Sequence, residues 1–260
     1  IDVKTGDAPN FGANDGTYLF NYINDEYRDF RPTLVLSSAL FKVEIDKKLN
    51  TNNIFLKIFN IKPFIEIDID DKIKLFDKGG IVKLPSKNGM LFFRIPKYKF
   101  RPVHSDALHV DVWESGINWI KDSGSYSYGI SIDKQNHFNG TKGHSTIEFD
   151  DRNQMPRISR FLFSNWLSPK HFNINYENNK VSSSYIDWKE NLHYREIEKL
   201  KNGWRIIDKI KGNHNYAIQR WLLEPSNWKI SGSVVCNNSV NIEIHSEYKK
   251  EIRINKGYES

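Results

Sequence analysis

The sequence predicts a mainly β protein, an antiparallel β-sandwich preceded by a short helical stretch. Three observations carry that expectation. FIEIDID (64–70) alternates Ile65, Ile67 and Ile69 with Glu66, Asp68 and Asp70, the period of two that sends one side of a strand to a core and the other to water. Asn202-Gly203 lies between two runs of strand character in LHYREIEKLKNGWRIIDKI (192–210), and an Asn-Gly pair so placed marks a tight hairpin. Helical spacing of apolar residues is confined to roughly the first sixty residues.

In chain order, GDAPNFGANDG (6–16) is a turn-rich loop; its acidic spacing is not that of an EF-hand. YRDFRP (27–32) leads into TLVLSSALF, where Pro32 suits a helix start and Leu34, Ser37, Ser38 and Phe41 recur at helical spacing. NNIFLKIF (52–59) reads as another short helix. From Phe64 onward, FDKGGIVKL and NGMLFFRI set short apolar runs between glycine turns, as antiparallel strands do. AIQRWLL, SGSVVC and VNIEIHSEYKKEIRIN follow as further strands. The expected division is a helical piece over 1–60 and a β-sandwich domain over 61–260.

A chain of 260 residues has ample material for one large β-rich domain and a smaller piece. Aromatic residues make up 13%, an excess that fits sheet cores and sugar-stacking platforms alike. Core is the default for most of them, Trp113, Trp119 and Trp166 included. The net charge of +6 mildly favours a polyanionic partner. The absence of any Lys/Arg run or binding motif argues against nucleic acid. The lone Cys236 excludes an internal disulfide and a cysteine zinc site. No apolar run reaches the length of a membrane span. No signal peptide is visible, and the start at Ile1 without a Met leaves open a targeting segment removed or not included here. The compartment stays open between periplasm and cytoplasm of a bacterium, and the oligomeric state is unknown.

The chemistry concentrates between His104 and Thr146. His104 and Asp122 are 18 residues apart, and Asp122 and His144 are 22 apart, too far for one helix face or one hairpin turn. Brought together by tertiary folding, they offer two imidazole nitrogens and a carboxylate oxygen, a set that suits Zn²⁺ with one position open. Such a trio is common by chance. Its surroundings are more specific: HSDALH (104–109), WESGIN (113–118), DSGSYSY (122–128) and TKGHST (141–146) stand in order over about forty residues.

Together these blocks resemble the C-terminal β-domain of the heparinase II/III family of polysaccharide lyases. GDAPNFGANDG and YRDFRP resemble the closing part of that family's (α/α) toroid, and GYES (257–260) is similar to its GWES motif. The resemblance implies a supersandwich-like β-domain after the last toroid helices, with zinc held by His104, Asp122 and His144. It implies β-elimination on an acidic, uronate-containing polysaccharide. The alternative is a non-catalytic carbohydrate-binding or capsule-pathway protein that keeps the fold and the metal site. The family's neutralising Asn and catalytic Tyr fall before Ile1. The catalytic His of its HxHAD motif, four residues before Asp106, is replaced here by Pro102. The remaining catalytic candidates are His137 and Tyr128 as acid or base and Arg101 as a charge partner for a sugar carboxylate. Asn14, Asp15, Arg28 and Arg31 are candidate substrate contacts. Asp106 is expected to hydrogen-bond a ligand histidine. His109, an odd number of residues from His104, is expected on the opposite strand face in a structural role.

Overall fold

Antiparallel sheet dominates the computed structural model, which describes residues 1–14, 26–49, 54–62, 72–127 and 129–255. These belong to two units, Ile1–Leu223 and Glu224–Ser260.

In the larger unit, helix α1 (Arg31–Phe41) carries Pro32 in its first turn, where a missing N–H costs nothing. It ends at Lys42 in the left-handed region, with φ of 53°. α1 and the short α2 (Ile54–Ile58) contribute to a small cluster in which Val35, Ile45 and Leu49 are buried against Ile1, Leu34 and Leu56.

Strands β1 (Lys74–Phe76), β2 (Ile81–Pro85), β3 (Gly89–Arg94), β4 (Val110–Glu114) and β5 (Ile117–Ile120) form a five-stranded antiparallel sheet in sequence order. Helix α3 (Ile132–Asn139), strand β6 (Ile147–Phe149) and the hairpin β7 (Arg157–Ser159) to β8 (Leu162–Phe163) follow. A second sheet is built from β9 (His171–Asn175), β10 (Lys180–Ile186), β11 (Leu192–Leu200) and β12 (Gly203–Lys211) in the order β12-β11-β10-β9. β13 (Ala217–Gln219) pairs with β6.

Alternate residues of both large sheets share one core. Val82, Leu84, Leu91 and Phe93 of the first sheet cluster with Val181, Tyr185 and Ile197 of the second, so the sheets pack face to face as a sandwich. β3 is buried on its other face too: Met90 and Phe92 pack with Trp113 and with Phe11 of the N-terminal loop. The smaller unit is an antiparallel sheet of β14 (Lys229–Ser231), β15 (Val234–Cys236) and β16 (Asn241–Glu243), with Val235 buried.

β11 departs from a plain apolar-in pattern. Its buried positions are His193, Arg195 and Ile197. The Arg195 guanidinium, fully buried, grips Asp208 of β12 through Nε (2.7 Å) and Nη2 (2.9 Å). Its Nη1 donates to the carbonyls of Leu108 (2.6 Å) and Ser145 (2.7 Å), and Nη2 also donates to Gln219 (3.2 Å). All five guanidinium donors are thereby matched. His193 Nε2 shares the Asp208 carboxylate at 2.7 Å.

Several expectations need correction. The β11–β12 turn falls on Lys201 and Asn202, with Gly203 (φ +110°) opening β12, one residue earlier than an Asn-Gly turn. Residues 132–139 form α3, where no helix was expected after residue 60, and His137 sits in its last turn. Trp113 is buried, but Trp166 is 44% exposed. Of residues 240–255 only Asn241–Glu243 is strand. FIEIDID and GYES lie outside the described residues.

Candidate metal centre and adjoining cavity

The blocks at 104–109 and 141–146 are stitched together by their small polar residues. Ser105 Oγ lies 3.1 Å from Thr141 Oγ1, Thr146 Oγ1 donates to the Ala107 carbonyl (2.8 Å), and Ser145 N–H donates to His109 Nδ1 (2.8 Å). Gly143 must be glycine for close approach, since an added Cβ would lie 2.4 Å from the Phe138 carbonyl oxygen. The third block enters just after β5. Gly124, at φ +67°, donates its N–H to Asp122 Oδ1 (2.7 Å) and packs so closely on Asn10 that a Cβ would meet it at 1.9 Å.

His104, Asp122 and His144 thereby converge, each buried, with one ligand-type atom from each within 4.8 Å of the others. His144 Nδ1 donates to the Gly140 carbonyl (2.7 Å), which leaves the lone pair on Nε2. That atom faces His104 Nδ1 at 3.3 Å and Asp122 Oδ2 at 3.4 Å. His104 Nε2 bonds Ser125 Oγ (2.8 Å), whose own proton points to the Gly12 carbonyl (3.3 Å). These partners assign the lone pair of His104 to Nδ1. Asp122 Oδ2 has no hydrogen-bond partner among the described residues. Three lone-pair atoms with no hydrogen between them call for a cation or a proton.

Sequence reasoning put His109 on the far side, but the segment from His104 is a turn rather than a strand. Leu108 adopts φ of 60°, and His109 swings to the same centre, its ring 5.5 Å from that of His144. Because Nδ1 accepts from Ser145, Nε2 carries the proton, and it points at Asp122 Oδ2 from 3.8 Å. His109 Nε2 is itself without a hydrogen-bond partner among the described residues, and with its Nδ1 taken by Ser145 it is not one of the three candidate ligands. The left-handed residue that causes this left no mark in the sequence pattern. Asp106 also departs from expectation. Its carboxylate accepts from Arg94 Nε (3.2 Å) and the Tyr98 hydroxyl (2.7 Å) instead of a ligand histidine.

Burial governs the protonation of the cluster. It holds His104 down at about 3, aided by the neighbouring His144, and lowers His109 and His144 as well. It pushes Asp122 well up, and Asp111 to about 8 with help from the Asp122 charge. Burial opposes ionisation of Asp106 too, but Arg94 and the two histidines bring it to about 2. For the metal-free chain, the depressed histidines mean that below about pH 6.5 the unfolded state binds protons the folded state refuses. Their contribution to stability is full above the unfolded value and falls as pH drops toward about 3. Asp111 acts in the opposite sense, its contribution being lost as pH rises through about 8. The melting temperature of chelator-treated protein, followed by circular dichroism, should therefore fall between about pH 6.5 and 4, by less than the histidines alone would give because Asp111 and Asp122 offset part of the loss over that range. A flat profile across that range would contradict the buried neutral histidines.

The N-terminal loop closes one side of the centre. Asn14 N–H lies 3.4 Å from Ser125 Oγ, and the Phe11 ring meets that of His109 edge-on at 5.8 Å. Arg28 is engaged by the loop itself, through Asp7 (2.7 Å), Asn10 (3.2 Å) and the Ala8 carbonyl. Arg31 pairs with Asp29 at 2.6 Å. Beside the centre lies a cavity of about 270 Å³, bordered by Ala13, Arg101, Ser125, Asn139, Arg160 and Phe161. Arg101 therefore borders the space next to His104, whereas Arg28, Arg31 and His137 are not among its described lining. Burial, Arg220 and Lys142 lower the pKa of His137. Asp15 and Tyr128 lie outside the described residues.

The family profile described as "Heparinase II/III-like, C-terminal" matches residues 69–255. The chain belongs to that family. Among solved structures, a heparinase III gene product with methylated lysines superposes with a TM-score of 0.64 at 16% identity, covering 90% of this chain and 34% of that one. Heparan sulfate lyase HepC from Pedobacter heparinus gives a TM-score of 0.58 at 18% identity, over 88% of this chain and 34% of that one. At these identities the likeness is one of fold, and the chain spans about a third of the length of those proteins. No curated protein sequence matches the chain. Among the described residues, no helix is long and apolar enough to cross a membrane.

Proposed function

We propose that this chain is the metal-anchored part of a polysaccharide lyase acting on an acidic, uronate-bearing glycan, with zinc held by His104, Asp122 and His144. In this reading residues 1–60 close a helical toroid and the sandwich follows. The observation that carries it is the buried trio itself. Two donors bound to one zinc at 2.0–2.1 Å stand about 3.3–3.4 Å apart across a tetrahedral edge. The separations of 3.3 Å and 3.4 Å around His144 Nε2 match that edge. Neutral imidazoles and an orphaned carboxylate oxygen are the donor states zinc takes. Held by His104, Asp122 and His144, zinc would supply a fixed positive charge tying three distant segments together.

The chain's own side chains supply the rest. In β-elimination the C5 proton passes to a base, its electron pair forms the C4=C5 bond, the C4–O4 bond breaks, and O4 takes up a proton. Neutralising the C5 carboxylate acidifies that proton, and Arg101 at the cavity offers the charge. His137, which does not line the cavity, and Tyr128 are the candidates for proton transfer. Pro102, where the family motif has histidine, favours a second reading, in which the chain binds an acidic glycan without cleaving it.

Incubating the protein with a glucuronate-containing polysaccharide distinguishes the two. The lyase reading expects C4–C5-unsaturated ends, seen by ultraviolet absorbance, and a loss of at least about tenfold in Arg101→Gln at unchanged metal content. Glycan binding without unsaturated product would replace it with the binding reading.

A further inference from the structure

The block around His144 is fastened from outside itself. Ser145, the next residue after His144, has every polar atom engaged. Its N–H donates to His109 Nδ1 (2.8 Å), its Oγ accepts the Leu222 N–H (3.0 Å), and its carbonyl accepts Arg195 Nη1 (2.7 Å). The same Nη1 donates to the carbonyl of Leu108 (2.6 Å), the left-handed residue (φ 60°) within the block that begins at His104. The two blocks also meet where the Ala107 carbonyl accepts Thr146 Oγ1 (2.8 Å).

Asp122 is reached by a third route, the segment that follows β13. The N–H of Lys121, beside Asp122, donates to the Leu222 carbonyl (2.9 Å), while Leu222 N–H goes to Ser145 and Arg220 N–H to the Thr146 carbonyl (3.0 Å). Arg195 Nη2 holds this segment at Gln219 Oε1 (3.2 Å). One guanidinium therefore bonds all three segments that carry or flank the ligands, and Nε and Nη2 anchor it on Asp208 of β12. With all five donors taken, it acts on the ligand side chains only through the chain around them. Charge-assisted bonds from a planar fork are short and directional, so they fix the spacing of those segments.

Resting on the zinc reading above, we propose that Arg195 is a positioning residue for the metal centre: from the second sheet it sets the distances between His104, Asp122 and His144. Losing a group that orients metal ligands weakens metal binding by roughly 10–100-fold.

The test compares Arg195→Met, Arg195→Lys and Leu84→Ala in the full chain. Each protein is stripped with chelator at a temperature where it is folded. It is then titrated with Zn²⁺ against a chromophoric chelator, and with Co²⁺, whose visible bands report ligand geometry. Leu84, fully buried on β2, is the control, since its truncation loosens the core without touching these bonds. Arg195→Lys keeps a cation for Asp208 but has no fork to span the two carbonyls. Arg195→Met should weaken Zn²⁺ by roughly 10–100-fold and change the Co²⁺ bands. Arg195→Lys should regain stability while its Zn²⁺ affinity stays at least about tenfold below wild type, and it carries the comparison if the Met variant does not fold. Leu84→Ala should lower the melting temperature and leave both metal readouts at wild-type values. Arg195 variants that bind Zn²⁺ within about threefold of wild type, or equal weakening by Leu84→Ala, would overturn the positioning role and leave the zinc reading standing. Wild type that takes up neither ion would overturn both.

Discussion

Arg195→Met should cost about 3–5 kcal/mol, the usual penalty for breaking a buried ion pair from one side. The substitution removes the bidentate grip on Asp208 and leaves that carboxylate buried beside His193. It also strips a donor from the Leu108 and Ser145 carbonyls, which adjoin His109 and His144. The effect should therefore spread from β11 to the candidate metal centre. Urea denaturation gives the loss directly. A companion change, Asp208→Asn, removes the stranded charge, so the double variant should be less destabilised than the sum of the singles. A loss under about 1 kcal/mol for Arg195→Met would mean the network is not the strut described here.

His144→Ala is expected to abolish stoichiometric metal and to lower the melting temperature by about 10 °C or more, a few kcal/mol for a domain of this size. The imidazole is fully buried, its Nδ1 fixed by the Gly140 carbonyl and its Nε2 central to the trio. Elemental analysis and thermal melts with and without chelator separate metal loss from cavity formation. Chelator should lower the wild-type melting temperature and leave the variant unmoved. Wild-type protein purified without metal, and indifferent to added zinc, would end the zinc proposal.

What could be read from the sequence was whatever a local pattern dictates. The short apolar runs around Val82 and Leu91, set between glycine turns, became neighbouring strands, and a hairpin joins β11 to β12 within one residue of the Asn-Gly signal. His104, Asp122 and His144 stood out through the wording around them, since the spacing alone is common. Three features were hidden. α3 is short and polar, and its signals were only Ser131 as N-cap and Asp133 in the first turn. His109 was misplaced because the left-handed Leu108 breaks the alternation on which its assignment rested. Arg195 reads as one more charge in a charged strand, and nothing local says that Asp208 on the next strand and the distant Leu108 and Ser145 carbonyls will take its protons.

The reach of Arg195 also bears on kinetics. Its bonds to Leu108 and Ser145 close stretches of 87 and 50 residues, a large loop entropy that no early turn or hairpin can offset. Such contacts can form only once both sheets exist, so they belong to the last stage of assembly. Interactions absent from a transition state leave the folding rate nearly untouched and slow the reverse reaction. The guanidinium acts as a latch: it sets how long the sandwich stays shut, and has little say in how quickly it closes.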